Sequence, residues 1–494
     1  MGFTNWSENI KNSNVKIYYP RLDTEIIDLI AKAKSDSKIV RVVGAGHSQS
    51  PAVCNRDEKI MLISLRDYHL TPEDFSVDHR KMTITVNPGW TLGRLYDELN
   101  HYRLFIDTQT ASSAFTVGGV VSMPVHGCRL GASFISDSIT ALILIDSHGN
   151  IVRKSDQDSD FDIYRINLGV MGIVISVTLR VHRIDGVKTS INCVRNVFDS
   201  EGKIDRSLLD AKYSEVIKAC YEDKIKYHHT FLDMHNNKII MLDWEPGHEP
   251  SLCIDFAESQ EIPKLEIYRK IHENLIPNYR QNRPYLRFLG TLLTTTIVLS
   301  VKLNSLEDQD MFWVYFGSPL YFMSYFIPIH QEGEPIDLSK LYSALEIIME
   351  QVKAANRFNI DFPVDIRFVC SSRSAASPLR AANGKRMVYL AVEVLCLTTN
   401  LKVESSNKTS LIPCNPFSNG IEEWKDFFSV IEQHWISLGG IPHYAKMFGF
   451  SDSASIRPFD PDTVGRIFSP EVKAKLKPYA QPLFLNSFVN QLLN

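Results

Sequence analysis

The sequence predicts an α+β protein of more than one folding unit, and three observations carry that expectation. Short apolar strands alternate with amphipathic helices through residue 185. Two glycine-rich turns, at Gly44–Gly46 and Gly118–Gly119, interrupt that alternation. From about Gly186 the texture shifts to longer polar connections, denser aromatics and mixed helix and strand signals. At about 150 residues per unit, 494 residues leave room for about three units. The expected boundaries are 1–185 for the first domain, 186–460 for the second, and 461–494 for a closing segment that packs back near the first.

Taken in order, Asp23 or Thr24 is expected to cap a helix whose Ile26, Ile27, Ile30 and Ala33 share one face. Ile39–Val43 reads as a buried strand running into Gly44-Ala45-Gly46. Met82–Val86 alternates as a strand, Asn87-Pro88-Gly89 turns, and Thr91 caps a helix that buries Leu92, Leu95, Tyr96 and Leu99. Ile139–Ile145 is a strand closed by the turn Ser147-His148-Gly149-Asn150, and Gly169–Arg180 is a glycine-opened strand. Pro482–Phe488 is apolar and ordered in character.

Composition excludes more than it selects. The formal net charge of −4 gives no reason to expect nucleic acid, which needs clustered Lys and Arg. The eight cysteines are scattered without a CxxC pair, so neither a zinc site nor a disulfide framework is expected. The N-terminus lacks a basic segment followed by an apolar one, so no signal peptide is read and a cytoplasmic location is the expectation. Phe288–Val301 is shorter than the ~20 residues needed to cross a bilayer. It reads as a buried or interfacial segment, and with Met311–Phe326 it could rest peripherally on a membrane surface.

The chemistry concentrates in a few segments. A strand that delivers Val43-Gly44-Ala45-Gly46-His47-Ser48 lets backbone N–H groups approach a pyrophosphate without Cβ obstruction. Gln49 stands where a nicotinamide fingerprint wants its third glycine, so that cofactor is disfavoured. The second cluster, Thr116–Gly127, is preceded by Ala111-Ser112-Ser113, and two such loops fit one large cofactor better than two incidental turns. In Val364–Phe368, alternation points Asp365 and Arg367 to one face and Ile366 and Phe368 to the other. Read alone, that pair is an ordinary ion pair, Lys446 a solvated lysine, and His443 either a substrate ligand or a packing residue. Tyr227-His228-His229 with His235 invites a metal reading, which alternation disfavours by placing the adjacent histidines on opposite faces.

Phe3-Thr4-Asn5-Trp6-Ser7, VVGAGHS at 42–48, TVGGVVSMPVHG at 116–127, FPVDIRF at 362–368, GGIPHYAK at 439–446 and FLNS at 484–487 stand in the order of a known pattern. Together they resemble the vanillyl-alcohol-oxidase-type flavoproteins, and among them the sugar-1,4-lactone oxidases. The resemblance implies a two-subdomain FAD-binding domain of the PCMH type plus an α+β substrate or cap domain with a large antiparallel sheet. It implies FAD bonded covalently to His47 and held by Val43, Gly44, Ala45, Gly46 and Ser48. The second group of implied cofactor contacts is Ala111, Ser112, Ser113, Thr116, Gly118, Gly119, His126 and Gly127, joined by Gly172, Val174 and Lys446. Asp365, Arg367, Lys446 and His443 are the implied catalytic residues.

The implied reaction is oxidation of a CH–OH group of a sugar lactone, with O2 or another acceptor taking the electrons; the alternatives are an alditol or other carbohydrate as substrate, or a flavin-binding protein without redox turnover. Asp365 stands where most such proteins carry Glu. Ala111 matches the lactone-oxidising pattern more than the polyol-oxidising one, and Thr110 replaces a Gly or Ala that many oxidases carry beside the flavin.

Overall fold

Three β-sheets position the site, and each is built from segments whose hydrophobic pattern matches its burial. The structure, a computed structural model, describes residues 2–55, 58–70, 72–110, 112–183, 187–246, 282–303, 320–355, 359–397, 400–405, 408–413, 422–450, 459 and 461–494. In the first sheet the fully buried strand Ile60–Ile63 lies between Lys16–Tyr18 and Ile39–Val42, parallel to both. Parallel strands covered on both faces read as continuous apolar runs, which is what IMLI shows. The second sheet is antiparallel, in the order Ile151–Ser155, Ile139–Ile145, Ile173–Arg180, Thr83–Val86 and Phe75–Asp78.

The third sheet is the large antiparallel one. Its seven strands run in the order Val187–Arg195, Lys238–Pro246, Tyr227–Asp233, Val364–Cys370, Met387–Leu397, Leu320–Gln331 and Ile441–Pro442. One face carries the helices Asp210–Ala219 and Ser339–Ala354, whose Tyr213, Ile217, Leu341 and Ile348 are buried in the same core as Ile366 and Phe368. The opposite face looks into the site. The expected α+β class and large antiparallel sheet are both present.

Several local expectations hold and others are corrected. Thr91 caps the helix Leu92–His101 by accepting from the Arg94 N–H, and Leu92, Leu95, Tyr96 and Leu99 are buried. The first helix, Asp23–Ser35, has Leu22 at its N-cap with no side-chain cap. Neither Asp23 nor Thr24 caps it, because the Asp23 carboxylate accepts instead from the Tyr68 hydroxyl at 2.6 Å. Met82 has φ +50 and precedes the strand, which starts at Thr83. The Gly169–Arg180 segment is a turn followed by a strand: Gly169 and Gly172 have φ +66 and +148, and pairing begins at Ile173. Phe288–Val301 lies within the 21-residue helix Arg283–Leu303, with Leu286 and Leu289 buried and Phe288 exposed. Among the described residues no helix is long and apolar enough to cross a membrane. Part of Met311–Phe326 lies outside the described residues, and from Leu320 onward it is strand.

Chain segments far apart in sequence are tied by one buried cation. Arg41, in the first sheet, donates to the carbonyls of Leu168 and Phe484 at 2.7 Å each and of Gly169 at 3.2 Å. Burial lowers its pKa to about 10, a range in which the guanidinium stays charged. Phe484 completes a core with Ile26, Ile30, Ile63 and Ile173. Hydrogen bonds to a charged group contribute about 1.5–3 kcal/mol each, and the carbonyls left behind are buried. Arg41→Leu is therefore expected to destabilise the protein by about 3 kcal/mol or more. Urea unfolding would read this directly, and a loss under ~1 kcal/mol would contradict the tie.

Candidate active site

Residues of all three sheets line one cavity of about 670 Å³, within the ~300–1,000 Å³ range of small-molecule and cofactor sites. One wall is made by the two glycine loops. Gly46, at φ +74, turns the chain after the Ile39–Val42 strand and presents His47. A Cβ on Gly44 would lie 2.0 Å from Thr116 Oγ1, so the loops fit only because this position carries no side chain. Thr116 in turn caps the short helix Val117–Ser122 by accepting from the Gly119 N–H. A Cβ on Gly172 would come within 2.6 Å of the Ile145 carbonyl. Backbone edges therefore reach the cavity where a long phosphate-bearing cofactor needs them, and the residues present fit such a group.

Of the residues expected to hold the cofactor, Val43, Gly44, Ala45, Gly46, His47 and Ser48 line the cavity. So do Ser112, Thr116, Gly118, Gly119, His126, Gly172, Val174 and Lys446. Ser113 and Gly127 sit behind the lining: Ser113 O accepts from the Gly93 N–H, and Gly127 abuts the backbone of Gln109. Ala111 lies outside the described residues. The Thr110 hydroxyl donates to the Ser112 carbonyl at 2.7 Å, and Thr110 lines the cavity.

The His47 ring is stacked on Trp6 at 4.7 Å and meets Phe115 edge-on at 4.8 Å. Burial, with the nearby Lys446 cation, pushes its pKa down to about 3, so the imidazole is neutral. Its loop is held from both sides. Trp6 N–H donates to Gly46 O, and Asn5 Nδ2 donates to Ser48 O. The fully buried Gln49 donates from Nε2 to Ser7 Oγ and to Leu320 O, at 2.7 and 2.6 Å. Gln49 Oε1 accepts from the Phe322 N–H at 3.0 Å, and the Gln49 N–H donates to Ala445 O at 2.8 Å.

The opposite wall is the open face of the seven-stranded sheet. Asp365, Arg367 and Glu393 line the cavity, as do Lys446 and His443 beside the Ile441–Pro442 strand. Asp365 is ion-paired with Arg367 and lies 2.6 Å from His229 Nε2. Arg367 Nε is 3.1 Å from the same nitrogen. One nitrogen cannot both donate and accept, and the shorter contact, to an anion, takes the proton. Burial pushes His229 down to about 4, so it is a neutral donor. Although burial raises the Asp365 carboxyl, Arg367 and His229 outweigh it and hold the group well below the usual carboxylate range. Lys446 Nζ lies 3.6 Å from Glu393 Oε2 and 3.8 Å from the centre of the Phe322 ring. His126 is pushed down to about 3 and His443 well below its ordinary value, chiefly by burial.

Sequence reasoning missed His229, Glu393 and Gln49. Tyr227–Asp233 is a strand, so His228 and His229 do face opposite ways: His228 bonds Asp243 and Thr230. The same alternation that disfavoured a metal put His229 on the face of Asp365. Glu393 had the same kind of signal, alternating with the apolar Val392 and Val394 of its strand. Among the described residues no His, Cys, Asp and Glu cluster is arranged to hold a metal ion.

Residues 16–155 match the family described as FAD binding domain. The chain is 27% identical over 234 residues to L-gulonolactone oxidase of Mus musculus, covering 45% of this chain and 51% of that one. It is 27% identical over 178 residues to L-gulono-1,4-lactone dehydrogenase of Mycobacterium tuberculosis, covering 36% and 40%. With D-arabinono-1,4-lactone oxidase of Candida glabrata it shares 25% over 199 residues, covering 39% and 37%. The matches thus span about half, or less, of these relatives' length. In fold the chain is similar to a solvent-stable cholesterol oxidase, with TM-score 0.76 at 16% identity over 100% of this chain and 97% of that one. A cholesterol oxidase from B. sterolicum gives 0.72 at 15% over 100% and 96%. These structures carry the PCMH-type fold expected from the sequence.

The Asp365–Arg367 pair makes a sharp energetic forecast. Because the folded Asp365 carboxyl titrates below its unfolded counterpart, its pairing adds stability above the ordinary carboxylate range. That contribution is lost as pH falls through the folded value. Arg367→Met strands a buried anion and is expected to cost about 3–5 kcal/mol. Adding Asp365→Asn to Arg367→Met should recover most of it. Equal losses in single and double variants, measured by denaturant midpoints, would contradict the assignment.

Proposed function

We propose that this chain, whose residues 16–155 carry an FAD binding domain, is an FAD-dependent oxidoreductase that oxidises a CH–OH group of an aldono-1,4-lactone. The observation that carries this reading is one cavity shared between two glycine loops with His47 and a charged row on a separate sheet. The names of the relatives support the lactone class. When bound, the flavin supplies a two-electron oxidant that accepts a hydride.

The chain's own residues would divide the remaining work. Gly44, Gly46, Gly118 and Gly119 offer backbone to the cofactor's phosphates. His47 would carry the covalent bond to the flavin: a neutral imidazole keeps the lone pair that such a bond needs, and the rings of Trp6 and Phe115 fix its plane. Lys446 would face the cofactor ring with a positive charge, available to meet negative charge that develops there. Asp365 and Arg367 would orient the substrate, the carboxylate accepting from hydroxyls and the guanidinium donating to ring or carbonyl oxygens. Asp365 and Glu393 against Arg367 and Lys446 balance in formal charge, which suits a hydroxylated but uncharged molecule. His443, neutral and stacked on Phe326 at 5.7 Å, borders the same space.

Three measurements test the reading. Yellow fluorescence should stay on the denatured wild-type polypeptide band and disappear from it in His47→Ala. Anaerobic mixing with a panel of aldono-1,4-lactones should bleach the flavin faster than a panel of alditols, and the reverse order would favour a polyol substrate. Thr110 narrows the cavity with a branched side chain tied to Ser112. Thr110→Gly is expected to speed reoxidation of the reduced protein by air at least several-fold, as on-and-off exposure to oxygen in a stopped-flow cell would read. Immediate reoxidation of the wild type would instead mark it as a fast oxidase.

A further inference from the structure

On the cavity face of the large sheet, Phe231, Asp365, Glu393 and Ser324 form one row across four adjacent strands, each directly opposite the next. Direct opposition sets Cβ atoms about 4.5–5.5 Å apart, so two carboxyl groups stand side by side on one wall. Neighbouring carboxyls divide their titration, one staying ionised and the other being pushed up. Their partners decide which is which. Asp365 has the Arg367 guanidinium and the His229 N–H against it. Glu393 has the Lys446 ammonium at 3.6 Å, a longer contact than a well-formed charged hydrogen bond. Burial pushes the Glu393 carboxyl up; Lys446 opposes this and Asp365 reinforces it.

We propose that Glu393 is the proton acceptor of the reaction, taking the hydroxyl proton of the substrate while Asp365 stays ionised and only orients it. This rests on the oxidoreductase reading above. In the step, the substrate's C–H and O–H bonds break and a C=O bond forms. The carbon's hydrogen leaves with its electron pair to the flavin, which is reduced by two electrons, and the hydroxyl proton goes to the Glu393 carboxylate. A carboxyl whose proton affinity is raised toward the working pH suits that task better than one held strongly acidic. Protonation also removes the counter-charge from Lys446, leaving its ammonium to meet negative charge at the cofactor as that charge arrives.

The other titratable groups around Glu393 are held in one charge state. Asp365 and Arg367 on the neighbouring strand are locked as an ion pair, and His126, His229 and His443 on the surrounding walls are neutral. Lys446, from the turn after Ile441–Pro442, is the cation that pairs with Glu393 itself.

The test needs two readouts on purified flavoprotein, with flavin content and melting temperature confirming that Glu393→Gln is folded and Glu393→Asp as the conservative control. In the first, without substrate, dye-coupled reduction measures the flavin midpoint potential against pH. Glu393→Gln should raise the potential at neutral and alkaline pH and remove a break in its pH slope that Glu393→Asp keeps. In the second, anaerobic bleaching by whichever lactone reduces the wild type should slow by about 10²–10⁴-fold in Glu393→Gln. The variant should also lose the fall in rate toward acid pH, and Glu393→Asp should recover part of both. Wild-type bleaching rate in Glu393→Gln, or a retained acid limb, overturns the proposal alone. A wild-type flavin that no lactone or alditol bleaches overturns the oxidoreductase reading, and the proton-acceptor role with it.

Discussion

The site depends on the five hydrogen bonds that saturate Gln49. Its side-chain amide gives both donors to Ser7 and Leu320 and its acceptor to Phe322, while its backbone N–H reaches Ala445 and its carbonyl accepts from Asn9. Leu320 and Phe322 belong to the large sheet, and Ala445 immediately precedes Lys446. Two residues upstream of Gln49 is His47. A buried amide with every donor and acceptor matched permits one arrangement, because any slip strands polar groups away from water. The relative placement of His47 and Lys446, which come from opposite walls, is thereby fixed by a neighbour of each.

The electrostatics follow from that enclosure. Desolvation holds the imidazoles of His47, His126, His229 and His443 in their neutral form and forces the charged groups into pairs. Two pairs result, and they are unequal. Asp365–Arg367 has a third partner in His229, whereas Glu393–Lys446 is a looser contact at 3.6 Å. One wall thus holds two adjacent ion pairs of different tightness.

Much of this was legible in the sequence because it rests on short-range rules. Strand alternation placed Asp365 and Arg367 together and parted His228 from His229. Thr91 advertised its cap, and the glycine turns advertised close backbone approach. What could not be read rests on contacts across long sequence separations. Gln49 looked like a defect in a nucleotide fingerprint until residues about 270 positions away supplied its partners. His229 became a neighbour of Asp365 only through sheet order, across 136 positions, whereas Glu393 sits on the next strand of the chain and needed only the register of that pairing. Asp23 failed as a cap for the same reason, since Tyr68 competes for its carboxylate from outside the helix.

The grip of Arg41 on the carbonyl of Phe484 bridges 443 positions. During synthesis, the strand of Arg41 therefore waits until Phe484 has been made before this hydrogen bond and that core side chain arrive.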